Sequence, residues 1–527
     1  MPSLVTDNFR VFAAEQFMES LEEPYNSSGS PEADGTTAAS AYRSKIYLFT
    51  GRSQDWTEER YSIATGVSEF DPPEPYDSFN DMNEVYDDMI SLKRVSRADL
   101  SQVIRRNTWS QGTKYDMYKN DYTPDNLSLN GQSSLYDSQF YVINSNYQVY
   151  KCIYNGESPT YPTGKQSLTE PTGTSTTIFD TDNGDYRWKY MYTINISDYI
   201  KFVSTDFIPV KSDSAVVSAA VDGSINQLLI KNRGTGGASA NTYYVPIVGD
   251  GTGAIARITV LSSGSNAGKI ETADMETVGS GYTRGIVLLS EAYTSLSDAQ
   301  TRPGTGSVSL SGNVEAIISP PGGHGANPAL ELGGYRVMIN KSLDFLDGDG
   351  DVPVDSQFRR YGLLADPQNP NSQDLTQSTA TACYSIKFPT SGTGTPTGDF
   401  EPGKLITQTT TNAIGRVIHW DSVTKVLRYY QNEYIDERGG ETANPKDPNR
   451  YKAIPFSGSN AISSVTTQGT VTATPSGSGT YFGVTFTNGY ASPEVKKNSG
   501  NVIYVENRKA VNRSNDQVED IKLVVEF

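Results

Sequence analysis

Histidine is almost missing from this chain: 527 residues contain two, His324 and His419. Most hydrolytic nucleophile systems set a histidine beside a serine or cysteine, so that chemistry has little to work with. His324 lies in Pro320-Pro-Gly-Gly-His-Gly325, a turn-forming context that suggests a turn or interface role. His419 sits between Ile418 and Trp420 in an expected strand, where sheet packing is the natural role. Cysteine is equally scarce. Cys152 and Cys383 are far apart, too few for a disulfide framework and not clustered as zinc ligands would be. Both fall in apolar, aromatic-rich runs and are expected to be buried free thiols. No apolar run approaches the ~18 residues of a membrane span. The start, Met1-Pro-Ser-Leu-Val-Thr-Asp7, lacks the basic and apolar regions of a signal peptide, so folding in a reducing cytoplasm is expected.

Basic residues are also in deficit. The 43 Lys and Arg face 61 Asp and Glu, a formal charge of −18 that repels a polyanion, so nucleic acid is not an expected partner. No phosphate-binding loop, dinucleotide fingerprint or nucleophile elbow occurs. Asp344-Phe-Leu-Asp347-Gly-Asp-Gly-Asp351 invites a calcium assignment. An EF-hand loop starting at Asp347 needs glycine and glutamate where Val352 and Phe358 stand, so a solvated turn is the reading, with a looser calcium site as the alternative. Catalytic residues, cofactor sites and metal sites are therefore all expected to be absent.

What the chain does have is β chemistry. It holds 33 Tyr, 47 Gly and 27 Pro with only 20% charged residues, the profile of short strands and many turns. Amphipathic spacing predicts a helix over 7–22, with Phe9, Phe12, Phe17 and Leu21 near one face. A second helix is predicted over 78–93, opened by the capping-box spacing of Ser78 and Asp81, and a short one from Ser96 with Asp99. Strands are expected at 45–51, 139–143, 147–154, 186–194, 202–210, 501–506 and 520–527, and a hairpin over 415–430. From 213 to 330 the composition shifts to Gly, Ser, Ala and Val and repeats itself. Gly223-Ser-Ile225 runs nine residues on to Gly234-Thr-Gly236, and Gly268-Lys-Ile270 runs nine on to Gly279-Ser-Gly281. Gly251-Thr-Gly253 is echoed by Gly304-Thr-Gly306. Two repeats suit a compact inserted β domain rather than a solenoid.

Several blocks stand out along the chain: Phe49-Thr-Gly-Arg52-Ser53 with Trp56, Asp88–Val95, Val103-Ile-Arg105-Arg106 with Trp109, Val149-Tyr-Lys-Cys152, Gly184-Asp-Tyr186-Arg-Trp188-Lys-Tyr190, Gly500–Arg508 and Asp516–Ile521. Taken in order, they resemble the dimeric wedge subunit, the gene product eight family, of T-even-type phage baseplates. The resemblance covers roughly 1–212, 331–370 and 483–527. It implies a mainly β fold: a β-sandwich core with helix-bearing loops plus two inserted small β domains. The expected division is 1–212 wedge core, 213–330 inserted domain with the repeat, 331–370 core, 371–482 inserted β-rich domain and 483–527 core strands. It further implies a non-catalytic virion protein of the tail baseplate, a homodimer whose partners are itself and other baseplate wedge proteins, with no membrane and no nucleic acid. Arg52, Trp56, Arg105, Arg106, Trp109, Trp188, Tyr504, Glu506, Asn507 and Arg508 are the candidate interface or scaffold-motif residues. The arginines beside the tryptophans suit ion pairing and cation–π packing inside the subunit, or anchorage of a neighbour. An outward-facing adhesin or glycan-binding module is the alternative, and a tail glycan hydrolase, needing paired carboxylates, is a third reading.

Overall fold

The computed structural model describes residues 4–21, 45–57, 68–301 (except 236, 238–240 and 262), 306, 308–344, 352–431, 453–514 (except 482) and 516–527. The protein is mainly β, built from several antiparallel sheets. The chain divides into two compact units: one holds 1–16, 101–338 and 524–527, the other 17–100 and 339–523.

In the second unit, Ile46–Gly51 is buried at every position. That alternation-free apolar run is what a strand covered on both faces requires. It pairs with Ser356–Ala365 on one side and Met89–Arg94 on the other, within a five-stranded sheet closed at its ends by Thr379–Thr381 and Asn501–Arg513. Tyr47, Phe49, Leu92 and Leu364 form its core with Val85 and Met89. Gly362 faces Phe49 in the register. A Cβ there would stand 2.0 Å from the Tyr504 carbonyl oxygen, so only glycine lets the strands approach this closely. A seven-stranded sheet in the same unit packs around Phe388, Phe400, Ile406, Leu427 and Tyr429. Its strands Ala413–Asp421 and Val426–Tyr430 form the hairpin expected at 415–430.

In the first unit, Gln148–Tyr154 and Tyr186–Thr193 form the middle of a four-stranded sheet. Their aromatic residues, among them Trp188 and Tyr150, pack into the core of this unit. The glycine-rich stretch forms a small sandwich. Ile225–Asn232 pairs with Asn313–Ile318, and this pair shares one core with a four-stranded sheet spanning 242–287. Both repeat units behave alike at their starts: Ile225 and Ile270 each open a strand and are buried. Gly234 explains the turn that follows the first strand. Its φ is +58°, and a Cβ would collide with the Ser311 carbonyl at 1.8 Å. Gly304 of the second echo lies outside the described residues.

Three expectations need correction. The helix predicted over 78–93 ends at Asp87, and Met89–Arg94 is a strand. Ser78 does cap it, accepting from the Asp81 amide at 3.1 Å; beyond Asp88, pairing on both strand edges overrides helical spacing. Of the strand predicted over 202–210 only Phe207–Pro209 forms, because Asn195 caps a helix, Ile196–Phe202, by accepting from the Asp198 amide at 2.9 Å. In the first helix, Asp7–Glu19, the buried face is Val11, Ala14 and Met18, continued by Leu21, whereas Phe9 and Phe12 are exposed. The short helix after Ser96 is a single 3₁₀ turn, Arg97–Asp99, with the capping box formed. Cys152 and Cys383 are buried free thiols, donating to the carbonyls of Tyr154 and Ile90. Residues 345–351 of the acidic cluster lie outside the described residues.

Candidate interaction site

Trp56 is completely buried in the second unit, and the site is built around it. The Arg52 guanidinium lies 4.6 Å from its ring centroid and that of Arg360 lies 5.7 Å away. Two cations stacked on one indole need an anion, and Asp88 supplies it. Arg360 donates to both Asp88 oxygens at 2.9 and 3.0 Å, while Arg52 approaches at 3.9 Å. Burial pushes the Asp88 carboxyl up, against the opposing pull of Arg360 and Arg52. Arg52 has a left-handed backbone, φ +53°. That costs on the order of 1 kcal/mol, offset by two backbone hydrogen bonds: its N–H donates to the Asp88 carbonyl at 2.9 Å, and its own carbonyl accepts from Arg359 at 3.0 Å.

The C-terminal motif closes the same cluster. The Trp56 indole N–H donates to the Arg508 carbonyl at 2.7 Å, and Arg360 Nε donates to Asn507 Oδ1 at 3.0 Å. Asn507 then donates from Nδ2 to the Pro73 carbonyl at 2.8 Å. Tyr504 donates to Glu506 at 2.6 Å, and Glu506 pairs with the exposed Arg508 at 2.5 Å. Burial, with Glu506 next to it, raises the Tyr504 phenol. The structure thus brings Arg52, Trp56, Tyr504, Glu506, Asn507 and Arg508 into one region. Arg359 was not singled out by sequence, yet it braces the same region, donating from Nε to Glu69 at 2.8 and 3.0 Å and from Nη1 to the Ser53 carbonyl at 2.6 Å. Its only sequence signal is the Arg359-Arg360 pair inside an otherwise aromatic and apolar strand.

The other four candidates belong to the first unit and are not gathered at one point. Arg105 is exposed, its carbonyl accepting from Tyr141 at 2.9 Å. Arg106 donates to the Ser204 carbonyl at 3.1 Å and Thr108 at 3.2 Å. Trp109 is partly buried and donates to Ser167 at 3.0 Å. Trp188 is fully buried, stacked on Tyr186 at 5.4 Å and donating to Thr181 at 3.1 Å.

Sequence reasoning missed a second charged cluster. Lys151 and Glu331 form an ion pair whose side chains are 0% and 1% exposed. Glu331 also accepts the Gly325 and Asn327 amides at 2.7 and 3.3 Å. Lys151 Nζ stands 4.9 Å from the Tyr118 ring, which makes an edge contact with His324 at 5.1 Å. Burial, then the cations of Lys151 and Lys189, hold the His324 imidazole well below its ordinary range, so it is neutral. Burial likewise lowers Lys151, against Glu331. A lysine, a glutamate and a histidine together resemble acid–base machinery, but here the Lys151 and Glu331 side chains, 0% and 1% exposed, are committed to each other. They act as an internal strut. Among the described residues no group of three His, Cys, Asp or Glu is arranged to hold a metal, and no helix is long and apolar enough to cross a membrane.

Residues 13–160 match the family model described as Bacteriophage T4, Gp8. The matched segment includes Arg52, Trp56, Arg105, Arg106 and Trp109; Trp188 and the Tyr504–Arg508 motif lie beyond it. No curated protein matches the chain.

Proposed function

We propose that this chain, whose residues 13–160 match the gene product eight family of phage baseplate wedge subunits, is a non-catalytic structural subunit of the tail baseplate. In this reading it forms a homodimer that docks onto other wedge proteins during assembly. The family match is the observation that carries the reading, and the site chemistry supports it. A bracket needs surfaces held in fixed geometry, and the Trp56 cluster does that mechanically: charge-assisted hydrogen bonds from Arg360 tie strand 356–365 to Asp88 and to strand 501–513, and the Trp56 indole ties the 46–56 segment to strand 501–513. The stretches 213–330 and 371–482 are read as insertions on this scaffold. A glycan-binding module would stack sugars on exposed aromatic faces. Among the described residues of 213–330 no aromatic side chain is exposed, and in 371–482 only Tyr481 is. This weakens the adhesin alternative.

Two measurements test the proposal. Light scattering on the purified full chain is expected to give twice 57.4 kDa; a stable trimer favours the adhesin reading instead. A map of the intact particle is expected to hold the chain in the baseplate. Placement in the capsid, or absence from the particle, overturns the assignment.

A further inference from the structure

The Trp56 cluster also holds a segment that faces away from the core. Residues 68–79, Ser-Glu-Phe-Asp-Pro-Pro-Glu-Pro-Tyr-Asp-Ser-Phe, run as a strap pinned at two points. Glu69 is clamped by Arg359 and takes the Ala510 amide at 3.1 Å, and the Pro73 carbonyl is held by Asn507. Between and beyond these pins the strap exposes large apolar groups: Phe70 is 79% exposed, Tyr76 68% and Phe79 95%. Water contact on that scale for three aromatic rings in twelve residues is unfavourable unless another surface covers them. Three prolines and the two pins fix the strap before any partner arrives, so little ordering entropy remains to be lost on contact. Each ring has an acid close by in sequence, and Asp71, Glu74 and Asp77 are exposed without an ion-pair partner among the described residues. The surface that fits the strap is therefore an apolar pocket with lysine or arginine in its wall.

The same unit carries such a pocket. It has a volume of about 260 Å³, and its lining includes Tyr86, Met89, Tyr384, Tyr430, Lys496 and Lys497. Helix Phe79–Asp87 joins the two features: Phe79 opens it and Tyr86 and Asp87, near its end, line the pocket. Seven residues of helix separate them by about 10 Å. That offset is short enough for a two-fold axis crossing the helix to set each copy's strap over the other's pocket. We propose that the strap and the pocket are the two halves of one reciprocal contact, in which Phe79 and Tyr76 of one copy enter the tyrosine- and lysine-lined pocket of a second copy. The inference rests on the homodimer proposed above and gives that dimer its surface. Isologous symmetry makes every residue of the contact count twice.

Sedimentation equilibrium on the full chain tests it. Truncating one well-packed aromatic anchor weakens an interface by about 30-fold, so Phe79→Ala, acting twice, is expected to raise the dimer Kd by about 10³-fold. Phe79 is almost fully exposed, so the variant is expected to fold as wild type does, read as an unchanged circular dichroism spectrum. Asp77→Lys and Lys496→Glu are each expected to weaken the dimer, and the double variant to recover most of the loss. Phe79→Ala and Tyr76→Ala that dimerise as tightly as wild type would overturn the contact while leaving the dimer standing. A wild-type chain that stays monomeric removes the dimer and the contact together. Loss of binding to another purified baseplate protein by Phe79→Ala, with self-association unchanged, assigns the strap to that partner and refutes the reciprocal contact.

Discussion

Replacing Lys151 by methionine isolates the energetics of the buried strut. The wild-type pair is almost wholly removed from water, with side-chain exposures of 0% and 1%. Methionine fills much the same volume, so packing changes little and the lost charge dominates. Glu331 then keeps two backbone donors, Gly325 and Asn327, but loses the cation it is paired with. Breaking a buried pair from one side costs about 3–5 kcal/mol, and the surviving amide donors place this case near 3. Glu331→Gln alone strands the lysine instead and is expected to cost a similar amount. The double variant, Lys151→Met with Glu331→Gln, removes both charges and is expected to lose no more than about 1.5 kcal/mol, because a neutral replacement is often tolerated. The coupling is then about 4.5 kcal/mol or more. A chain of two units does not unfold in one step, so a global midpoint is the wrong readout. Native-state hydrogen exchange on the amides of Gln148–Tyr154 and Tyr186–Thr193 reports opening of the sheet that carries Lys151. Single variants that change this opening by less than about 1 kcal/mol, or that simply add in the double, would refute the strut.

His419 supplies a pH test. Burial, and then the Arg428 cation, lower its imidazole from the ordinary value to about 4. Its stabilising share is therefore complete above pH ~6.5 and is lost as pH falls toward 4, since only the unfolded chain takes up the proton in that window. Between pH 7 and 5 wild type is expected to lose about 2 kcal/mol more than His419→Asn, read by exchange in strand Ala413–Asp421; parallel losses contradict the assignment. Trp56→Phe keeps most of the packing but leaves the Arg508 carbonyl without its indole donor, a cost of about 1–2 kcal/mol. Faster exchange in Asn501–Arg513 would register it. Gly362→Ala drives a Cβ into the Tyr504 carbonyl and the Phe49 ring; the variant is expected to accumulate as insoluble chain, and a soluble, normally melting protein would disprove the close approach.

What sequence alone determined were the features whose causes are local. The buried run of Ile46–Gly51, the caps at Ser78 and Ser96, the 415–430 hairpin and the glycine-bounded strands starting at Ile225 and Ile270 all announce themselves within a few residues. Their signals are side-chain periodicity, capping hydroxyls and φ-permissive turns, none of which needs a distant partner. The scarcity of histidine and cysteine likewise narrows the chemistry before any fold is known. Tertiary structure decided the rest. Helical spacing continues past Asp88, but strands 46–51 and 379–381 offered Met89–Arg94 two sets of ladder hydrogen bonds, and those won. Phe9 and Phe12 look like the core face of the first helix; Val11, Ala14 and Met18 are buried instead, because the surface that covers a helix is supplied from elsewhere in the chain. Lys151 meets Glu331 across 180 residues, Arg360 meets Asp88 across 272 and Asn507 meets Pro73 across 434. An ion pair or a hydrogen bond at such separations leaves no periodic trace in the sequence, since its energy depends on the distance between two groups in space and on the water excluded around them.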